Sequence, residues 1–151
     1  MTDLRYFEDI EVGTRASFGR YAVDRDEVIE FARKFDPQPF HLSDDAAAAT
    51  HFGRLSASGW HTCAMMMSML VEHIKETRQA SLGSPGIDEL RWLKPVYPGD
   101  TLRCETELTE KRASASRPEM GITKSRMTVF NQDDVAVMSF VSNGLIATRP
   151  V

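Results

Sequence analysis

The spacing of apolar residues divides the chain into two halves. Between residues 28 and 35 the apolar side chains recur at near-helical intervals, which predicts an α-helix, and two further helices are predicted between there and residue 78. A first predicted strand, at residues 15–23, precedes these helices. The later part of the chain is predicted to contain four more strands, at residues 87–93, 101–108, 122–130 and 135–147. A run of strands after helices indicates an α+β fold with an antiparallel sheet.

Three helices are predicted before this run of strands. Asp24 lies three residues before Glu27, which is the spacing of a capping box, and the helix that follows ends just before a Pro-rich loop. Ser43 and the two aspartates after it indicate a second, short helix at residues 46–50. The third helix, at residues 60–78, is apolar nearly all round in its first half. We therefore expect it to be buried on most sides, in the concave face of a curved sheet.

The connections between the predicted strands carry turn residues. Pro98-Gly99-Asp100 predicts a tight turn and residues 131–134 a hairpin, whereas residues 111–120 are predicted to form a longer polar connection. The length of 151 residues fits a single domain, residues 1–151, which is large enough to bury a sizeable core.

Composition argues against several classes of function. The net charge of −4 disfavours a general binder of nucleic acid or of anionic membranes. The N-terminal residues lack the features of a signal peptide, and the longest apolar run, near residues 63–71, is too short to span a bilayer. Cys63 and Cys104 lie far apart and outside any CxxC pair. We therefore expect no zinc ribbon, redox motif or disulfide framework, and a reducing cytoplasmic location.

The segment Asp36-Pro37-Gln38-Pro39-Phe40-His41 carries the clearest chemical signal. Each proline disfavours helix at the residue before it, so the segment is predicted to be a rigid, non-helical loop. Such a loop can hold a carboxylate and an imidazole at one site, as proton transfer to and from a small substrate requires. The alternative is structural, because an aspartate in a Pro-rich loop often forms a turn or a cap, and a lone histidine is often buried for packing.

The other histidines give weaker signals. We expect His51 and His73 on the surface, and His61 in the third helix facing either a pocket or its wall. The His and Asp residues around position 44 match no metal-binding spacing, so we expect no bound metal. The residues considered for such a site are His41, Asp44, Asp45 and His51.

With these motifs the chain resembles the MaoC-like hydratase/dehydratase family, whose motif is Asp, any residue, Asn, Pro, any residue, His. The match at residues 36–41 is fairly specific to that family. Two further segments support the resemblance: Ser58-Gly59 at the start of the long helix, and residues 94–102, which resemble a turn that recurs across the fold. The similarity covers nearly the whole chain, from Phe7 to Leu145.

The resemblance implies the hotdog fold, in which a curved antiparallel sheet wraps around a long central helix and two subunits join through their sheets. Three positions depart from the family pattern. Phe35 stands where Gly commonly precedes the motif, Gln38 replaces the Asn, and Ser58 stands where His commonly precedes the helix-opening glycine. The first and third changes bear on the shape of the pocket, and the second on a hydrogen bond that orients the loop. None of them removes Asp36 or His41.

The activity that the resemblance implies is reversible hydration of a trans-2-enoyl-CoA to the (R)-3-hydroxyacyl-CoA. Asp36 and His41 would hold the water, and the free backbone N–H of Gly59 at the helix tip would stabilise the negative charge on the thioester oxygen. The other interpretation of Gly59 is that it relieves crowding where the helix meets the sheet. The residues assigned to substrate binding are Gln38, Phe40, Ser58 and Trp60.

Coenzyme A enters as part of the substrate, and no further cofactor is implied. The chain lacks a Gly-rich phosphate loop, so the carrier would be held by scattered basic side chains, of which Arg54, Arg91 and Lys94 are candidates. The resemblance also implies a homodimer or a higher homo-oligomer, with coenzyme A lying along the groove between two subunits.

Two alternatives stay open. An acyl-CoA thioesterase on the same fold would place its acid on the long helix, where Glu72 is the only carboxylate before the exit, and would leave Asp36 and His41 unexplained. The other alternative is a catalytically inactive acyl-CoA-binding subunit, which the departures at Phe35 and Ser58 motivate. Release of free thiol from acyl-CoA would indicate the thioesterase, and binding without turnover would indicate the inactive subunit.

Overall fold

The computed structural model describes residues 3–151, which form three α-helices and one five-stranded antiparallel sheet. The helices are α1 (Arg25–Phe35), α2 (Asp44–Ala48) and α3 (Gly59–Thr77). The strands are β1 (Arg15–Ala22), β2 (Ser81–Trp92), β3 (Thr101–Ala113), β4 (Met120–Phe130) and β5 (Ala136–Ala147). Their order across the sheet is β1-β3-β4-β5-β2, so β1 and β2 form the two edges.

The main core of the protein lies between α3 and one face of the sheet. Alternate residues of β3, β4 and β5 point to that face, as the two-residue period of a strand requires. Buried side chains of these strands meet three methionines of α3, and the set includes Leu102, Cys104, Met127, Val129, Met138, Met65, Met66 and Met69. A sheet that packs against one long apolar helix confirms the α+β prediction.

A second, smaller hydrophobic cluster lies beyond this core and contains Ile10, Leu108 and Ile146. Hydroxyl-bearing residues occupy interior strand positions between the two clusters: Thr106 on β3, Thr123 and Ser125 on β4, and Ser142 on β5. These residues line a cavity of about 190 Å³ that is bounded on its other side by the second half of α3. The interior of the sheet is therefore apolar at two levels and hydroxylated at the level between them.

Side-chain caps start all three helices. Asp24, Ser43 and Ser58 each accept a hydrogen bond from a backbone N–H two or three residues later, at 3.0, 3.2 and 3.2 Å. Helix α2 starts two residues earlier than predicted, because it begins directly after its cap. The second half of the predicted capping box is replaced, since the side chain of Glu27 turns to Tyr21 instead of to the backbone of its cap.

Two strands, β2 and β3, are each five residues longer than the apolar pattern predicts, and β4 is two residues longer. β3 continues to Ala113 because residues 111–113 pair with β4, so the predicted polar connection of residues 111–120 shrinks to residues 114–119. β2 begins at Ser81 rather than at residue 87, since its first half still pairs irregularly with β5. The bonds of a strand ladder join backbone groups and need no apolar side chains, so the apolar pattern underestimates both strands.

Helix α3 packs mainly against β1 and β3 and leaves the β2 side of the sheet open. One stripe of α3 consequently faces solvent in the single chain, and its members are Trp60, Ala64, Met67 and Val71. Intervals of three and four residues place all of them on one side of the helix. The expectation that α3 is buried on most sides is therefore not met by the single chain.

Candidate active site

The loop after α1 brings Asp36 and His41 together. Asp36 ends α1, and its backbone N–H donates to the carbonyl of Ala32 at 2.9 Å. The backbone is extended at Gln38, and Pro39–His41 then form a single 3-10 turn, so the prediction of a wholly non-helical loop is wrong in its second half. Pro39 suits the first position of that turn, because its fixed φ is helical and no N–H is needed there.

The carboxylate of Asp36 and the imidazole of His41 face each other across a short gap. Asp36 Oδ2 lies 3.5 Å from His41 Nε2, and the two side chains are only 16% and 6% exposed. Two donors hold the carboxylate, since Gln38 Nε2 donates to Oδ1 at 2.7 Å and Ser58 Oγ donates to Oδ2 at 2.7 Å. The added methylene of Gln38 therefore does not prevent a hydrogen bond within the loop.

The backbone of Ser56 fixes the tautomer of His41. Nδ1 of the imidazole lies 2.7 Å from the carbonyl oxygen of Ser56, which can only accept, so Nδ1 carries a proton and donates it. In the neutral ring Nε2 then has a free lone pair, and Nε2 is the nitrogen that faces Asp36. Both His41 and Ser56 are buried, so solvent does not compete for this bond.

Opposing effects act on the pKa of Asp36. Burial raises the pKa, whereas the hydrogen bonds from Gln38 and Ser58 and the attraction of His41 lower it, and the net pKa lies below its ordinary value. Asp36 is therefore ionised near neutral pH. Its two bound donors also make it a weaker proton acceptor than a free carboxylate.

Ser58 and Gly59 open α3 beside this pair. The hydroxyl of Ser58 has two partners, since it accepts from the amide of Trp60 at 3.2 Å while it donates to Asp36. Gly59 is the first residue of the helix, so its N–H has no partner within the helix and lies at the positive end of the helix dipole. A Cβ on Gly59 would lie 2.6 Å from Cδ2 of Trp92, so the missing side chain lets this indole pack against the helix tip.

These groups surround one cavity of about 480 Å³. Six of the seven site residues predicted from the sequence line it, namely Asp36, Gln38, Phe40, His41, Gly59 and Trp60. The seventh, Ser58, is buried behind Asp36 and reaches the cavity only through its hydrogen bond. Much of the remaining wall is apolar and comes from Phe52, Ala57, Trp92, Leu93, Pro95 and Val96.

Other histidines singled out in the sequence take different positions. His51 is exposed, as predicted, and lies at the same cavity. His73 is half-buried rather than on the surface, because its ring stacks on Phe18 with the ring centroids 4.0 Å apart. The prediction that His61 faces a pocket or its wall is wrong, because His61 is buried outside the cavity lining with its ring stacked on Phe31 at 4.6 Å.

The departures and the basic candidates also have defined places. Phe35 does not enter the cavity, because it is 64% exposed and packs against Phe31. Of the three basic candidates, Lys94 lines the cavity. Arg54 instead stacks over the ring of Tyr97, 3.8 Å from its centroid. Arg91 is on β2, and its guanidinium donates to the preceding backbone carbonyl at 3.1 Å.

Sequence reasoning missed two contributors to the site. Ser56 acts through its backbone carbonyl, which every residue has, so its identity gives no signal of the contact. Trp92 reaches the tip of α3 from the end of β2, and only the packing of the sheet around the helix brings the two together. A tryptophan at the end of a predicted strand was the one available hint.

Among residues 3–151, no group of three or more His, Cys, Asp or Glu side chains is arranged to hold a metal ion. Asp44 is engaged elsewhere, since it accepts from the amide of Leu55 at 3.0 Å and from Arg25 at 2.6 Å. No helix in the described part of the chain is both long and apolar enough to cross a membrane. Cys63 and Cys104 do not form a disulfide.

Comparisons with known proteins point to one family. The family model of the MaoC like domain matches residues 9–129. A 3-hydroxybutyryl-CoA dehydratase from Methylorubrum extorquens is 31% identical over 122 residues, which are 80% of this chain and 74% of the relative. An uncharacterized Bacillus subtilis protein, YdeM, is 30% identical over 115 residues, which are 76% of this chain and 79% of the relative.

Solved structures agree with the sequence comparisons. A MaoC-like dehydratase from Rhodospirillum rubrum is 35% identical with a TM-score of 0.84, over 97% of this chain and 99% of that one. The R-hydratase PhaJ1 from Pseudomonas aeruginosa is 25% identical with a TM-score of 0.71, over 96% of this chain and 86% of that one. A Mycobacterium tuberculosis protein with a double hotdog fold shares the architecture at 20% identity and a TM-score of 0.73, over 97% of this chain and 45% of that one. The hotdog fold that the family resemblance implies is therefore confirmed.

Proposed function

Because the chain belongs to the MaoC-like domain family, a family of hydratases and dehydratases, we propose that it catalyses the reversible addition of water to a trans-2-enoyl-CoA. The product is the (R)-3-hydroxyacyl-CoA, and dehydration is the same reaction in reverse. The observation that carries this proposal is the approach of Asp36 Oδ2 to His41 Nε2, 3.5 Å apart, in a cavity that Gly59 also lines.

His41 is the base in the proposed reaction. Its Nδ1 proton is held by the carbonyl of Ser56, so the lone pair on Nε2 can take a proton from a water molecule. Asp36, whose pKa is lowered, stays ionised and accepts a hydrogen bond from the second O–H of that water. This bond turns the water oxygen toward C3 of the substrate. The negative charge of Asp36 also stabilises the imidazolium that forms.

The bond changes of this step balance. The water oxygen bonds to C3, its proton moves to His41 Nε2, and the electrons of the C2–C3 double bond shift toward the thioester carbonyl. The imidazolium then gives the proton to C2, so that one water has been added and His41 is neutral again. The negative charge on the thioester oxygen needs a donor that is already in place, and the free N–H of Gly59 supplies it in this proposal.

Coenzyme A is part of the proposed substrate, and no separate cofactor is proposed. The acyl group would lie against the apolar wall formed by Phe40 and Trp60, while Lys94 at the same cavity would face the carrier. A cavity of about 480 Å³ with a few polar groups inside an apolar wall suits a small organic ligand. We place the reaction in the cytoplasm, where Cys63 and Cys104 stay reduced, and treat residues 1–151 as one domain.

Two copies of the chain are proposed to pair through their β2 edges. β2 has a free outer side and is exposed along nearly its whole length. Apolar side chains on this side of the molecule are also exposed, including Leu82 at 49%, Ile87 at 45% and Met67 at 46%. A long edge strand with apolar surface is a liability in a monomer, and pairing removes it. Sedimentation velocity measures the mass, and a monomer at micromolar concentration would contradict the pairing.

The test of the reaction is turnover of crotonyl-CoA and longer enoyl-CoAs by the purified protein, followed by the loss of the conjugated absorbance. Asp36→Asn and His41→Ala are each expected to lower kcat about 100-fold or more, because positioned proton transfer contributes on that order. Circular dichroism and melting curves show whether each variant is folded. The matched control is Asp45→Asn, an exposed aspartate on α2, with kcat within about twofold of wild type. Unchanged turnover in both site variants would end the assignment.

A thioesterase is the competing enzymatic function. Its acid would have to be Glu72, which is exposed on α3 and lies about 20 Å along the helix from Gly59. Glu72 does not line the cavity that contains Asp36 and His41. A thiol-reactive dye detects release of free coenzyme A, and rapid release from a saturated acyl-CoA would favour the thioesterase. Binding of acyl-CoA without turnover of any enoyl chain would instead indicate an inactive binding subunit.

A further inference from the structure

A cluster of three titratable side chains lies next to the candidate active site. Oε1 of Glu27, on α1, accepts from the hydroxyl of Tyr21 on β1 at 2.5 Å and lies 3.1 Å from Nε2 of His61 on α3. None of the three lines the cavity that contains Asp36. The proposed proton transfers do not use them, so their arrangement needs another explanation.

His61 is the most buried member of this cluster. It is 3% exposed, and its ring lies nearly parallel to that of Phe31, at 9°. Within residues 3–151, its Nδ1 is the one fully buried side-chain nitrogen or oxygen without a hydrogen-bond partner. Because the oxygen of Glu27 accepts, Nε2 carries the proton of the neutral ring and donates a hydrogen bond to Glu27.

The charge states in the cluster follow from its surroundings. Burial lowers the pKa of His61 more than the bond and charge of Glu27 raise it, so the ring is neutral at pH 7. The hydrogen bond to Glu27, with burial and the charges of Glu27 and Asp24, raises the pKa of Tyr21 to about 12. An unpaired buried acceptor such as Nδ1 is unfavourable. His61 is therefore held in place against a penalty, by its stacking and by its bond to Glu27.

Helix α1 contacts the first turn of α3 at three successive places. Near its start Glu27 bonds to His61, in its middle Phe31 stacks on His61, and directly after its end Asp36 accepts from Ser58. Glu27 and Phe31 are four residues apart and so share one side of α1, and the third contact comes from Asp36, the residue that caps the end of that helix. The contacted residues, Ser58 and His61, lie one residue before and two residues after Gly59.

We propose that Glu27 is a positioning residue. By accepting from Tyr21 and His61 together, it sets the angle at which α1 crosses the tip of α3, and with it the placement of Asp36 relative to the amide of Gly59. This inference rests on the proposed hydration, in which both groups act on one substrate. Both donors bind the same oxygen of Glu27, so the role requires an acceptor oxygen and not a negative charge.

Two substitutions of Glu27 separate position from charge. Glu27→Gln keeps a carbonyl oxygen that can accept from both donors, whereas Glu27→Ala removes it. We expect Glu27→Ala to lower kcat for crotonyl-CoA about 10-fold with KM changed less than about twofold, because misplacement affects the transition state more than binding. Glu27→Gln is expected to keep kcat within about twofold of wild type on the same argument. The matched control is Glu30→Ala, an exposed carboxylate on the same helix, with unchanged kinetics.

Each outcome of these measurements bears on the proposal. An unchanged kcat in Glu27→Ala, measured well below its melting temperature, would overturn the positioning role and leave a contact that only stabilises the fold. A kcat for Glu27→Gln as low as that for Glu27→Ala would overturn it too, because the charge would then be needed. Absence of turnover in the wild-type protein would remove the hydration reaction itself. Failure of the two proposals is therefore distinguishable.

Discussion

The two ends of α3 treat interior polar groups differently. At the N-terminal end the polar groups of the candidate site have specific partners, since Ser58 donates to Asp36 and His41 donates to the carbonyl of Ser56, while the unpartnered Nδ1 of His61 lies outside that site. Beside the C-terminal half, interior hydroxyls face a cavity of about 190 Å³ that lies between two apolar clusters. The first arrangement fixes atoms at hydrogen-bond distance, and the second leaves room around them.

This difference shows where the molecule constrains its geometry. A bonded polar network has one favourable arrangement, so small changes within it affect both stability and orientation. A cavity lined by hydroxyls accepts water molecules that satisfy those groups, so it tolerates small rearrangements. We therefore expect substitutions at the N-terminal end of α3 to change the chemistry, and substitutions at the C-terminal half to change stability alone.

The largest effect is expected for Gly59→Ala at the N-terminal end. The added methyl group would lie 2.6 Å from Cδ2 of Trp92, so the indole or the helix tip must move. A displacement of about 1 Å at a catalytic group is enough to lower kcat/KM about 100-fold. Steady-state kinetics with crotonyl-CoA measures this loss, and a melting curve shows the accompanying loss of stability.

A second substitution tests whether the clash with Trp92 causes this loss. Gly59→Ala combined with Trp92→Leu removes the clash but keeps the backbone N–H, which alanine also has. If displacement of that amide causes the loss, the double variant recovers most of the kcat/KM of Trp92→Leu alone. Wild-type kinetics in Gly59→Ala would contradict the proposed difference, because the N-terminal end of α3 would then tolerate substitution as well as the C-terminal half does.

An intermediate effect is expected for Met67→Lys, near the middle of α3. Met67 is 46% exposed on the solvent-facing stripe of α3, and it also borders the cavity of about 190 Å³. A lysine would bring a charge into the proposed interface beside β2, so we expect the dissociation constant of the dimer to rise about 10-fold or more, about 1.4 kcal/mol. Sedimentation velocity at several concentrations measures it. Ser116→Lys, an exposed position outside the interface, is the control, and a dimer of unchanged affinity in Met67→Lys would exclude this face.

The smallest expected effect is a pH dependence at the C-terminal half. Burial lowers the pKa of His73 more than the charge of Glu76 raises it, so the folded ring resists a proton that the unfolded ring takes up near pH 6.5. The corresponding stability is present above about pH 7 and is lost as pH falls through about 6.5 toward the lowered folded pKa. His73→Gln should flatten the fall in unfolding free energy over this range without changing kcat at pH 7.

Denaturant titrations at several pH values measure that slope. A variant that keeps the full wild-type slope would contradict the role of His73. The acid sensitivity would then be assigned to His61, because burial lowers the pKa of that residue too. A changed kcat in His73→Gln at pH 7 would show that the two ends of α3 are coupled.

Local patterns in the sequence predict much of this fold. The predicted strand at residues 135–147 differs from β5 by one residue, because burial of one face imposes the alternation from which it was predicted. The start of β2 and the end of β3 were underestimated because no such alternation marks them. Their outer parts pair through the backbone with neighbouring strands, and the spacing of apolar residues along one segment carries no information about its partner.

The candidate site also has a part that the sequence predicts and a part that it does not. Asp36 and His41 were predictable as neighbours because two prolines restrict the short loop between them. The part played by Ser56 was not predictable, because a backbone carbonyl has no residue signature. Trp92 reaches Gly59 only through the packing of the sheet around α3, which is a property of the whole fold. The 3-10 turn at Pro39–His41 was missed because proline is also common in extended loops.

One side chain, Ser58, both caps α3 and donates to Asp36. Aspartate caps helices as well as serine does, so an engineer seeking a more robust protein would accept Ser58→Asp as a conservative exchange at the start of α3. The new carboxylate would replace a donor with a like charge beside Asp36, and mutual repulsion would drive one of the two acids toward its protonated form. Ser58→Asp would therefore keep a helix cap but lose the ionised aspartate on which the proposed chemistry depends.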